Sequence, residues 1–146
     1  MNDILDFIIR HWQLSSLFVA LLVAYILFEF KQETSSNAVS PDQAVGLMNH
    51  QHAVLLDIRP KETFAAGHIL GAQHVDPSEA DAKLKRFNKY AQKPVIVVCA
   101  RGISAVKFAQ RLRTLGLAQA VTLAGGMNAW LEAGLPTTSG HSKEQD

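Results

Sequence analysis

One cysteine, Cys99, is all the thiol this 146-residue chain contains. An intrachain disulfide is therefore excluded, as is every zinc or iron–sulfur site built from several cysteines. Charge is also scarce. Asp, Glu, Lys and Arg make up 18% of the residues, against about 25% in an average domain. With a net charge of +1 the chain has no field to attract nucleic acid, and no nucleic-acid partner is expected. Repeats and low-complexity tracts are missing. Six histidines leave a metal site open on count alone. His50 and His52, however, lie at a helix end and loop without a third ligand and are read as solvent-exposed, so no metal is expected.

Apolar residues make up 48% of the chain, and its length suits one domain of about a hundred residues with an appendage. The appendage is N-terminal. Residues 1–33 carry Asp3, Asp6, Glu29 and Glu33 against Arg10 and Lys31, and nothing between Arg10 and Glu29 is formally charged. From Trp12 to Phe28 only Gln13, Ser15, Ser16 and Tyr25 interrupt the apolar run. As a helix this run spans about 26 Å, the short edge of what crosses a hydrocarbon core of about 30 Å. Trp12 at one end and Tyr25, Phe28 and Phe30 at the other suit headgroup level. The reading is a single transmembrane helix at about residues 12–30. A cleaved signal peptide is the weaker alternative, because Asp3 and Asp6 spoil the basic start it needs. A buried core helix is also weaker, because the segment is apolar on all faces and precedes the repeating pattern. The positive flanks, Arg10 and Lys31, nearly tie and leave orientation open. The expected organisation is an N-terminal segment at 1–33, a linker at 34–39, a domain at 40–138 and a polar tail at 139–146.

Within the domain short apolar runs alternate with amphipathic segments. Ser40-Pro41-Asp42 starts a helix, with Ser40 as cap and Pro41 at the first helical position. Ala44, Leu47 and Met48 form its apolar face. Ala53 to Ile58 reads as a strand with Asp57 at its end, and Lys61 to Ala66 as a short helix stopped at Gly67. Gln73 to Val75 is a brief strand. Pro77-Ser78 opens a helix through Tyr90, with Leu84 and Phe87 inward. Pro94 to Val98 is the clearest strand, apolar on both alternating faces, which implies a sheet covered on both sides. Ile103 to Leu115 is a helix, Ala120 to Leu123 a strand and Met127 to Glu132 a last helix. Strands alternating with helices predict an α/β fold with a mostly parallel sheet flanked by helices on both faces.

The chemistry gathers after the central strand. In an open α/β sheet the ligand site lies beyond the carboxyl ends of the strands, and Cys99 sits there. Ala100, Arg101, Gly102, Ile103, Ser104 and Ala105 follow as a tight loop and a helix start. Their backbone N–H groups form a bowl that favours negative charge, and a thiolate there is a competent nucleophile. Arg101 adds a cation at the rim, and Gly102 lets the backbone turn. A buried structural cysteine is the alternative on position alone.

Three boxes carry a resemblance. They are Asp57-Ile58-Arg59 with Glu62, Phe64 and Gly67-His68-Ile69-Leu70-Gly71-Ala72; then Cys99 to Ser104; then Leu123-Ala124-Gly125-Gly126-Met127 with Ala129-Trp130 and Gly134-Leu135-Pro136. In this order they resemble the rhodanese-like domain family over about residues 38–138, including its subtype with an N-terminal membrane helix. The resemblance implies a sulfurtransferase. Cys99 takes the sulfane sulfur of a small-molecule donor such as thiosulfate as a persulfide. It then passes the sulfur to a thiophilic acceptor, such as cyanide or a thiol. The loop residues Ala100 to Ala105 bind the substrate, and no metal or organic cofactor is needed. Many members have a second basic residue near the loop end. Here that position is Ser104, which counts against efficient use of thiosulfate.

A cysteine-dependent phosphatase would need an arginine six positions after the cysteine. That position is Ala105, so dephosphorylation is not supported. Asp57 and Arg59 are read as structural support, an ion pair or loop brace, with Glu62 as a candidate partner of Arg59. His68 is read as a hydrogen-bonded turn residue and Trp130 as core. Lys83, Lys85, Arg86 and Lys89 are read as a solvated helix face, with lipid headgroups or a partner as the lesser reading. Gly125-Gly126 lacks G-x-G-x-x-G spacing and is read as permitting close packing beside the active loop. The expectation is a membrane-anchored sulfurtransferase, and the alternative is a non-enzymatic interaction module for a membrane protein partner. A lone reactive thiol suits a reducing compartment, which places the domain on the cytoplasmic side of a bacterial inner membrane.

Overall fold

The structure, a computed structural model, describes residues 6, 7 and 9–140. The N-terminal residues 1–5 and residues 141–146 of the expected tail lie outside the described residues. The chain divides into two compact units, Met1–Ser36 and Asn37–Asp146.

In the first unit α1 runs from Trp12 to Ser36. Large apolar side chains along it, among them Trp12, Leu17, Phe18 and Phe28, are exposed. Among the described residues no helix is long and apolar enough to cross a membrane. The expected transmembrane helix is thereby overturned, and with it the single-pass inner-membrane localisation with the domain on its cytoplasmic side. The physical reason is length. The apolar tract Trp12–Phe28 has seventeen positions, four of them occupied by Gln13, Ser15, Ser16 and Tyr25, whereas a span needs about 20 predominantly apolar residues. The helix reaches 25 residues only by adding polar turns from Glu29 to Ser36. Those turns occupy the start of the expected linker, so the break between the units falls after Ser36.

The second unit contains a five-stranded parallel sheet. Its strands are β1 (Ala38–Val39), β2 (Val54–Asp57), β4 (Gln73–His74), β5 (Val95–Val98) and β6 (Ala120–Leu123). The spatial order is β1-β6-β5-β2-β4, which puts β5 at the centre. Two further strands, β3 (His68–Ile69) and β7 (Thr137–Thr138), pair antiparallel as a separate ribbon. The helices are α2 (Pro41–Gln51), α3 (Lys61–Ala66), α4 (Ala80–Phe87), α5 (Ile103–Thr114) and α6 (Gly126–Glu132). A single 3₁₀ turn, Asn88–Tyr90, ends the stretch expected to be one helix. The α/β class and the mostly parallel sheet are as the alternation implied.

Local chemistry explains the element starts. Ser40 Oγ accepts the N–H of Gln43 at 3.2 Å, and the Gln43 side chain accepts the N–H of Ser40 at 2.9 Å. This reciprocal capping box, with Pro41 following, opens α2. β5 is buried along its whole length, and its pleat divides the core. Val95, Val97 and Cys99 join Leu56, Ile58, Ala105, Phe108 and Leu112 on one face. Ile96 and Val98 join Leu55, Phe64, Leu123, Met127 and Trp130 on the other. Because every sheet strand runs the same way, the loops after Asp57, Val98 and Leu123 meet along one edge.

Candidate active site

The loop after β5 is set by its parallel neighbours. β2 pairs with β5 so that Asp57 lies opposite Val98, and the N–H of Ile58 donates to the Val98 carbonyl at 2.9 Å. The chain then leaves the sheet. Gly102 takes φ +84°, a left-handed conformation that other residues rarely adopt. A Cβ there would stand 3.1 Å from both Gly125 N and the Leu123 carbonyl oxygen. With this turn made, the N–H of Gly102 points back and donates to Cys99 Sγ at 3.0 Å. α5 starts at Ile103 without a side-chain cap, and first-turn amides of a helix have no intrahelical acceptor. The sulfur therefore sits beside one donated N–H at the positive end of a twelve-residue helix.

The expected substrate-binding residues separate into a lip and a floor. Ala100, Arg101, Ile103 and Ser104 are exposed, and Gly102 is half-buried. Ile103 is 71% exposed, an unusual position for a large apolar side chain. Ala105 is fully buried in the core. Cys99 is itself buried, at 4% exposure. The sulfur lies below an exposed rim.

Asp57 and Arg59 form the buried ion pair of this edge. Arg59 Nη2 is 2.7 Å from Asp57 Oδ2, Arg59 Nε donates to the same carboxylate at 3.0 Å, and so does the Arg59 backbone N–H. Arg59 Nη2 also donates to the Gly67 carbonyl at 2.7 Å. The partner of Arg59 is thus Asp57, and Glu62 is exposed. Leu55 belongs to one face of the sheet and Leu56 to the other, so pleat alternation places the Asp57 side chain with Leu55. Cys99 is on the face of Leu56. The structure therefore does not bring Asp57 and Arg59 to the sulfur; they brace the loop into α3.

The histidines extend that brace. His68 Nδ1 donates to the Phe64 carbonyl at 2.8 Å, because a carbonyl only accepts, and its ring stacks on Phe64 at 3.8 Å. His74 Nε2 donates to the Arg59 carbonyl at 2.8 Å. His50 and His52 are exposed, and no group of metal-ligating side chains occurs among the described residues. Trp130 is core, 2% exposed, with Nε1–H donating to the Pro136 carbonyl.

Sequence reasoning missed one set of contacts. At the start of α6 the N–H of Met127 donates to the Cys99 carbonyl at 2.8 Å, and the N–H of Asn128 donates to the Ala100 carbonyl at 3.1 Å. These are main-chain bonds between distant segments. Their one trace in sequence is the adjacent pair Gly125-Gly126, both with positive φ.

A lone cysteine after the central strand of a parallel sheet, beside a loop amide and a helix start, defines an α/β protein whose single thiol sits at the carboxyl edge of the sheet. Comparison with known proteins gives the family. The model of the rhodanese-like domain matches residues 40–133, and the chain belongs to the rhodanese-like domain family. The uncharacterised protein YibN of Escherichia coli K12 is 36% identical over 142 residues, 96% of this chain and 99% of that protein. Thiosulfate sulfurtransferase GlpE of Pseudomonas putida GB-1 is 36% identical over 92 residues, 63% of this chain and 82% of that protein. The crystal structure of a thiosulfate sulfurtransferase from Pseudomonas aeruginosa superposes with a TM-score of 0.66 at 25% identity. The match covers 73% of this chain and 20% of that longer one.

Proposed function

We propose that this protein is a sulfurtransferase that carries sulfane sulfur as a persulfide on Cys99. The observation that supports this most directly is the N–H of Gly102 aimed at Cys99 Sγ from 3.0 Å. A donor amide at that place stabilises an anionic sulfur, and both the attacking thiolate and the persulfide are anionic. The GlpE relatives, named as thiosulfate sulfurtransferases, support the same chemistry.

With thiosulfate as donor, the Cys99 thiolate attacks the outer sulfur. A bond forms between Sγ and that sulfur, and the sulfur–sulfur bond of thiosulfate breaks. Sulfite leaves with the electron pair. The terminal persulfide sulfur then bears the negative charge, beside the first-turn amides of α5 and the exposed Arg101. In the second half a thiophilic acceptor attacks that sulfur, the persulfide bond breaks, and Cys99 leaves as a thiolate. Neither half requires an oxidant or a proton carrier. Ala100, Arg101, Gly102, Ile103 and Ser104 form the rim that the donor meets, with the Ala105 amide behind it.

Intact mass after incubation with thiosulfate tests the reading, because the chain has one cysteine and so one place to gain sulfur. Wild type gains the mass of one sulfur atom and loses it on treatment with a small thiol, and Cys99→Ser gains nothing. If wild type takes no sulfur from thiosulfate, an organic persulfide or a polysulfide, the domain acts as a binding module and the enzyme reading fails.

A further inference from the structure

The start of α6 packs against the loop that holds Cys99 through backbone atoms. Gly126 takes φ +59°, and a Cβ there would stand 2.3 Å from the Cys99 carbonyl oxygen, 2.7 Å from Gly102 N and 2.8 Å from the Ala100 carbonyl carbon. All three are backbone atoms of the loop, so no side-chain rotation relieves them. Just beyond, the amides of Met127 and Asn128 hold the carbonyls of Cys99 and Ala100. α6 has no side-chain cap of its own, and the loop carbonyls take the place of one.

Peptide planarity turns this contact into an orientation. In a trans peptide C=O and N–H point in opposite directions, and none of the described peptide bonds is cis. Drawing the Cys99 and Ala100 carbonyls toward α6 directs the N–H groups of Ala100 and Arg101 away from it. Met127 packs in the core on the sheet face opposite Cys99. The same contact at Gly126 reaches Gly102 N, the atom that donates to Cys99 Sγ.

We propose that Gly126, Met127 and Asn128 are positioning residues for the sulfur cradle: by gripping two loop carbonyls they fix the loop so that its amides, the Gly102 N–H among them, stand beside Cys99 Sγ. This deepens the sulfurtransferase reading and rests on it for its biological meaning. The alignment itself is a property of the resting thiol. Gly126 is glycine because the loop backbone fills the place of a side chain. Gly125 differs. Its φ is +72°, and a Cβ there meets the Ala129 side chain at 2.6 Å, within α6. The two neighbours thus offer the same kind of backbone strain, one directed at the loop and one directed away from it.

The experiment follows thiolate absorbance near 240 nm against pH in the full chain, with Cys99→Ser subtracted, and the rate of Cys99 alkylation by iodoacetamide at neutral pH. Gly126→Ala is expected to move the absorbance curve to higher pH and to slow alkylation about tenfold, the scale of one weakened anion donor. Gly125→Ala is expected to lower thermal stability comparably while leaving the curve in place. Arg101 and the Asp57–Arg59 pair are unchanged in both variants, so neither accounts for a difference. Should Gly126→Ala fail to fold, Asn128→Pro loosens the same grip, because it removes the Asn128 donor and sets a ring carbon against the Ala100 carbonyl. It is expected to shift the curve in the same direction by less. Equal curves for both glycine variants, or an unmoved curve in a folded Gly126→Ala or Asn128→Pro, overturn the proposal. The readout needs no sulfur donor, so a wild type that forms no persulfide sinks the enzymatic reading and leaves this test intact.

Discussion

Asp57 lies opposite Val98 in the register of β2 and β5, yet its side chain and that of Cys99, one residue further on, belong to opposite faces of the sheet. The two groups that sequence reading placed at the same strand ends therefore do different work. Asp57 is fully buried and Arg59 is 8% exposed, so each depends on the other. Removing one partner of a buried pair typically costs about 3–5 kcal/mol. Asp57→Ala is expected to lower the unfolding free energy obtained from a urea titration by that amount, and Asp57→Ala with Arg59→Met to recover most of it. The folded fraction of the double variant should load sulfur at a rate within about twofold of wild type, since the pair does not touch Sγ. A loading rate as low as that of Cys99→Ser in a stable double variant would give the pair a chemical role.

The loop has one cation where the family pattern often has two. Ser104 is exposed on the first turn of α5, so a longer basic side chain there meets solvent and no packed neighbour. A second charge about 4 Å from an anionic donor contributes on the order of 1 kcal/mol in water. Ser104→Lys is accordingly expected to lower KM for thiosulfate roughly fivefold, with kcat changed less. Because the site is exposed, the gain should fade as ionic strength rises. Steady-state cyanolysis in low and high salt checks both statements, and a gain that persists in high salt contradicts the electrostatic cause.

Gly102 tests the turn that aims the amide. At φ +84° an alanine is strained by about 1–2 kcal/mol. Its methyl would also meet Gly125 N and the Leu123 carbonyl at 3.1 Å. The turn must open, and the N–H donated to Cys99 Sγ swings away. Gly102→Ala is expected to slow persulfide formation at least tenfold at neutral pH, with a fall in melting temperature of several degrees. Stopped-flow loading with thiosulfate and a thermal melt on the same sample measure the two effects. A normal loading rate with a lowered melting temperature would show that the Gly102 amide does not assist the sulfur.

Much of this was legible before any coordinates. The uninterrupted Val95–Val98 run announces a strand buried on both faces, Ser40-Pro41 announces a helix start, and Cys99 marks the strand end where the Gly102 N–H meets its sulfur. What escaped has physical reasons. Two-residue strands such as Ala38–Val39 and the β3–β7 ribbon are too short to show a period. The grip of α6 on the loop is made by backbone amides, which every residue but proline possesses, so side-chain identity records only the glycine at the contact. The transmembrane reading fails on length, because the apolar tract ends at Phe28 and α1 continues only through the largely polar sequence Glu29–Ser36.

The last prediction concerns where the folding unit begins. The family match starts at residue 40, which would discard β1. Yet the N–H of Thr122 donates to the Asn37 carbonyl and that of Ala124 to the Val39 carbonyl, each at 2.8 Å. Thr122 and Leu123 are buried at 3% and 0% exposure, and an unpartnered buried amide costs about 1–3 kcal/mol. A chain beginning at Asn37 retains both bonds, whereas one beginning at Ser40 loses them at the strand that leads into Gly125 and Gly126. The longer form is expected to match the full chain in urea midpoint for this unit and in sulfur loading. The shorter form should lose roughly 2 kcal/mol of stability, part of the loss being offset by water at the new sheet edge. It should also load sulfur more slowly, because Ala124 no longer fixes the approach of α6 to the Cys99 and Ala100 carbonyls. If the form beginning at Ser40 equals the longer one in both measurements, β1 is dispensable and the alignment of the loop is set by β5 and β6 alone.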